Sequence, residues 1–99
     1  EKDHYKGALP LRYRMLFFHI INKGQKDRVD EILKVLQNMN KELPDEANRM
    51  SVLRELTGFE RIANQQQKEK ASTYLQEISN NLQPNNAAYV QSLITRIKK

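Results

Sequence analysis

The chain has 99 residues, 38% hydrophobic and 29% charged, with a net charge of +5 and no cysteine. That length suits one domain with a single modest core, and the missing cysteine excludes a disulfide framework and any thiolate metal site. The longest apolar run, Met15–Ile21, is broken by His19 and falls far short of the ~20 residues that cross a membrane, so no membrane partner is expected. A start at Glu1 rather than methionine reads as a piece of a longer protein. No signal-peptide pattern is visible, which leads us to expect an intracellular home, nucleus or cytoplasm.

Glycine and proline divide the chain: Gly7, Pro10, Gly24, Pro44, Gly58 and Pro84 are all there are. Glycine ends helices and proline opens or interrupts them. Residues 1–9 lack periodicity and read as a flexible tail or linker. A first helix is predicted from Pro10 to Lys23, with Gly24 just past its end. Its apolar residues (Leu11, Met15, Leu16, Phe17, Phe18, Ile20, Ile21) wrap almost all the way round, leaving Arg12, His19 and Lys23 as one narrow polar strip. Such a helix is either the central, most buried one or has a partner on its second side.

The second helix is predicted over 27–42, with Asp27 as its cap and Asp30 and Glu31 suiting the helix dipole. Val29, Ile32, Leu33, Leu36 and Met39 follow at helical spacing. Pro44 stops it, and Asp45 caps a third helix over 46–57. Gly58 then interrupts an apolar rhythm that runs Met50, Leu53, Leu56, Phe59, Ile62. Spanning a glycine costs about 1 kcal/mol relative to alanine, and a break there is the simpler expectation. A fourth helical segment covers 59–82, broken near 64–70, where NQQQKEK offers no apolar anchor. Pro84 ends it, Asn85 or Asn86 caps the last helix over 86–98, and Val90, Leu93, Ile94 and Ile97 form its stripe. No period-two pattern survives. The fold expected is all-α, a compact bundle of four to five short helices in one domain, 10–99.

Chemistry is sparse. His4 beside Asp3 is no metal site, and His19 lies on the polar strip of the first helix. Three scattered glycines build no phosphate cradle, and no Ser sits in a nucleophile elbow. The acidic pairs Asp30-Glu31 and Asp45-Glu46 fall in predicted first turns, where acids suit the dipole. No enzyme, cofactor or metal is expected. Charge is uneven: residues 1–26 and 61–99 each carry +4, and residues 27–60 carry −3. Basic ends leave nucleic acid as a possible partner; a stretch resembling a helix-turn-helix at 62–75 has the wrong spacing and turn residues. The surplus of apolar residues on the first helix, and Phe59 beside the break at Gly58, point instead to a groove for a peptide or partner protein, or to a homodimer.

Two segments carry a resemblance. Leu53-Arg-Glu-Leu56-Thr-Gly-Phe59 and the run from Glu69-Lys70 through Tyr74-Leu75 and Ile78 to Leu82 resemble the final helices of integrase-binding domains of the LEDGF type. These are grouped with the N-terminal domains of TFIIS and Elongin A. The resemblance implies a right-handed helical bundle and a nuclear, transcription-related adaptor that binds disordered motifs containing Phe and acidic residues. Carried over, it makes Phe59 the holder of a partner's apolar side chain and Asp27 an acceptor of backbone N–H groups. Lys26 or Arg61 would pair with acids on the ligand. Gly58 joins the candidate site on its own ground, as the break in the apolar rhythm beside Phe59. The chain departs from the pattern at Lys26 and Arg61, where apolar residues are expected. Segment 64–68 is about two residues longer than in the family, and the connection at Pro44 is shorter.

Overall fold

A computed structural model describes the backbone of residues 2–98 and the side chains of residues 8–98. The described residues form six α-helices and no strand. These are α1 (Lys2–Asn22), α2 (Val29–Glu42), α3 (Glu46–Leu53), α4 (Phe59–Ile62), α5 (Gln65–Ser79) and α6 (Pro84–Lys98). Tight 3-10 turns at Lys26–Arg28 and Arg54–Leu56 lead into α2 and out of α3. The bundle is all-α, as the punctuation predicts; the single-turn α4 brings the number of helices to six.

α1 starts at Lys2 rather than Pro10, so residues expected to form a tail are helical and Pro10 lies inside the helix. Extending an existing helix adds one hydrogen bond per residue without a new nucleation cost, so apolar periodicity is not required. Interior proline costs about 3 kcal/mol. Here Pro10 is buried, with Leu9 and Tyr13 packed against the core beside it, which offsets part of that cost. His4 and Asp3 lie outside the described side chains. At the other end, Gly24 takes φ +63°. The Gln25 N–H donates to the Ile20 carbonyl (2.9 Å) and the Gly24 N–H to that of Ile21 (3.2 Å). This paired closure satisfies carbonyls that the helix end would otherwise leave open.

Three local expectations change. Asp27 caps nothing: it sits exposed within the 3-10 turn, and Arg28 precedes α2 without a side-chain cap. The break expected near 64–70 is confined to Ala63 and Asn64, and the glutamines from Gln65 onward are helix. Asn64 Oδ1 accepts from the Gln67 N–H (2.8 Å), and the Asn64 N–H donates to Gln67 Oε1 (2.9 Å). This reciprocal cap starts α5 without any apolar residue, and burial begins nearly two turns later, at Ala71, Leu75 and Ile78. Pro84 opens α6 instead of closing its predecessor, which ends at Ser79; proline at the first helical position costs no hydrogen bond. Neither Asn85 nor Asn86 caps, and Asn86 Nδ2 donates to the Glu46 carboxylate. Asp45 does cap α3, accepting from the Ala47 N–H at 3.3 Å.

In the packing, α5 lies between α6 and α2, while α1 rests on α3 and the Arg54–Leu56 turn and touches α2. The Cα envelope measures 39 × 30 × 17 Å, thin enough for only about two helix layers at interaxial spacings of about 10 Å. Both expected stripes are inside: Val29, Ile32, Leu33, Leu36 and Met39 on α2, and Val90, Leu93, Ile94 and Ile97 on α6. Arg49 on α3 is buried as well. Its guanidinium donates to the carbonyls of Leu43 (2.8 Å), Pro44 (3.0 Å) and Asn81 (3.2 Å). One turn earlier, Glu46 accepts from the Gln83 N–H (2.9 Å) and from Asn86. Together they lace the α2–α3 connection to the α5–α6 connection.

Candidate functional site

α1 carries two apolar faces. One holds Phe17 and Ile20, both fully buried, with Leu16 and Ile21 partly covered. The other holds Leu11, Met15 and Phe18 at i, i+4 and i+7, and each is about half exposed (52%, 52% and 51%). Residues at that spacing lie in a row along one side of a helix. Among the described residues these three are the large hydrophobic side chains left in solvent. α1 is therefore not the wrapped, central helix. Its second face is bare.

Two open depressions run beside this row and meet at Phe18. The first, of about 230 Å³, is lined by Leu11, Arg14, Met15, Phe18, His19 and Glu55. The second, of about 360 Å³, is lined by Phe18, Ile21, Asn22, Arg54, Glu55, Thr57, Gly58 and Arg61. The Phe18 ring packs edge-on against His19, with centroids 5.8 Å apart. Asn22 Nδ2 donates to the Phe18 carbonyl (2.8 Å). Arg14 Nε stands 3.8 Å from Glu55 Oε2, bridging α1 to the 3-10 turn across the first depression.

Gly58 shapes the second depression. Its φ of +96° is a conformation that glycine adopts freely. A Cβ at this position would meet Ile21 Cγ2 at 2.9 Å. The backbone there turns tightly against α1, so the Arg54–Arg61 segment forms the far wall of the groove.

The residues anticipated from sequence do not form one site. Phe59 is fully buried: past the left-handed turn at Gly58, α4 packs on α6 and carries the ring inward. Phe59 is thus a core residue, along with Leu53 and Leu56, and lines no surface. Lys26 and Asp27 are exposed on their turn but do not line the groove, whose wall from α1 ends at Asn22. Gly58 and Arg61 do line it. Arg54 and Glu55 were missed, although the 4–3 spacing of Leu11, Met15 and Phe18 already places those three on one side of the first helix.

No group of three or more His, Asp or Glu side chains gathers as a metal site among the described residues, and no described helix is long and apolar enough to cross a membrane. The class that the fold defines is an all-α bundle with one uncovered apolar helix face. No known protein family matches the chain, and comparison with curated proteins and with solved structures finds no significant match.

Proposed function

We propose that this is a non-enzymatic interaction domain that holds a partner protein segment along the outer face of α1. The observation that carries the reading is the row Leu11, Met15 and Phe18, half exposed on the side of α1 opposite its buried face. Monomeric proteins seldom leave large apolar side chains contiguous on the surface, and where they do, the patch commonly serves binding. A helix face presenting anchors at i, i+4 and i+7 suits helix-in-groove recognition. The resemblance of residues 53–82 to integrase-binding domains adds transcription as the setting, with the contact moved from Phe59 to the α1 face.

The test is a fluorescence-polarisation screen of amphipathic and Phe-containing peptides of varied charge against the wild-type chain, Phe18→Asp and Met15→Asp. Both positions are half exposed, so circular dichroism should show unchanged helix content in the variants. Peptides that bind the wild type and lose binding to both variants support the reading. Binding that survives both changes, or no binding to the wild type, overturns it.

A further inference from the structure

The partner's chemistry follows from the rims of the same face, and this inference rests on the partner-binding reading above. On one side of the apolar row lie Arg14 of α1 and, across the groove, Arg54 and Arg61. On the other side lie Arg12 of α1 and, in the turn just past its end, Lys23, with the His19 ring between them, all exposed. Glu55 is the one carboxylate lining either depression, and it already faces Arg14 at 3.8 Å. An apolar track is thus bordered on both edges by cations, with little of the opposite charge between them.

We infer that the occupant is an acidic amphipathic helix: a segment whose apolar side chains rest on Leu11, Met15 and Phe18 and whose Asp and Glu residues line both edges of its apolar face. Complementary rims steer encounter and fix register, and a helix laid along α1 brings both of its edges to cations at once. A second copy of this chain is a poor occupant. Related by a two-fold axis, it would set the arginine rims of both copies against each other with only Glu55 to relieve them. An anionic membrane would find the cations but not the shape, because the apolar side chains are half covered beside depressions instead of protruding. Phe18 in addition packs against His19.

The probes are two labelled peptides of about four helical turns, with the same apolar row and with Asp/Glu or Lys/Arg along its edges. Vesicles of phosphatidylserine and phosphatidylcholine in equal parts are run alongside, as is sedimentation of the protein alone. Binding is measured to wild type, Phe18→Asp and Arg54→Glu/Arg61→Glu. The expected result is selective binding of the acidic peptide that weakens with added salt, is lost in Phe18→Asp, and drops about tenfold in the charge-reversed variant, which gains the basic peptide. Equal binding of both peptides, lost in Phe18→Asp, overturns the acidic assignment while leaving the docking face intact. Acidic-peptide binding that persists in Phe18→Asp overturns the face itself. Vesicle binding without peptide binding, or a dimer dispersed by Phe18→Asp, assigns the face to lipid or to a second copy and overturns the proposal.

Discussion

Replacing Gly58 with alanine tests the turn on which both the core and the groove depend. Two independent costs arise. The first is conformational: a φ of +96° strains any residue with a Cβ, by about 1–3 kcal/mol. The second is steric: the new Cβ lies 2.9 Å from Ile21 Cγ2, closer than packed carbons sit, and overfilling of this kind costs about 1–3 kcal/mol. Alanine also restricts the unfolded chain and returns about 0.4–1 kcal/mol. The net expectation is a loss of about 1–5 kcal/mol, read as a shift of the urea midpoint at constant m-value. The steric part can be isolated. Leucine lacks the offending branch methyl, so Gly58→Ala in an Ile21→Leu background should cost about 1 kcal/mol less than in the wild type, a coupling that a double-mutant cycle resolves. A loss below about 0.5 kcal/mol, the size of an ordinary surface change, would refute the assignment of this turn. A full loss without coupling would leave the backbone term and remove the contact with α1.

Arg49→Met should cost about 1–3 kcal/mol, since the buried Leu43 carbonyl loses its donor while those of Pro44 and Asn81 are only part-buried; urea unfolding measures this, and a neutral result would remove the clamp. Asn64→Ala should cost about 1 kcal/mol and, by hydrogen exchange, loosen the first turn of α5 before the rest. The pH dependence has two limbs. Desolvation, reinforced by its bond to Glu42, pushes the Tyr13 phenol up from 10.0 to about 12, so its contribution is whole below pH 10 and disappears as pH rises toward 12. Glu46, held below the usual 4.5 first by Asn86 and then by the Gln83 N–H, and Glu31, held there by Arg28, contribute above that value and fade as pH falls below it. Urea midpoints should therefore peak at neutral pH, and Tyr13→Phe should flatten the alkaline limb; an unchanged limb would show that another group sets it.

Where a residue's role depends on its near neighbours along the chain, it could be read in advance. Gly24 ends α1 and Asp45 caps α3 through contacts within a few positions, and the stripes of α2 and α6 are one-sided. The glutamine run lacks the apolar periodicity that marks a helix, yet α5 begins there on the reciprocal bond between Asn64 and Gln67. That signature, an Asn followed three residues later by Gln, lies in the sequence. The direction of Phe59 is set by a different cause. A positive φ at Gly58 turns the next side chain inward, and only the packing of α4 on α6 shows the direction. α1 was legible as a helix with too many apolar residues. Which of its two faces stays bare depends on α3 and the 3-10 turn choosing Phe17 and Ile20, a decision made by the assembled bundle. Two of the partners of Arg49, Leu43 and Pro44, are near in the chain, but its tie to Asn81, 32 residues away, is made only by the assembled bundle.

The lacing of the two connections by Arg49 and Glu46 makes one backbone amide a gauge for a distant loop. Gln83 precedes α6, and its N–H is held by a side chain of α3. Its exchange with solvent deuterium is therefore slow only while the α2–α3 connection stays docked. Opening either connection breaks bonds held by the other, so the two are expected to open together, and the protection of this one amide would report how often they do.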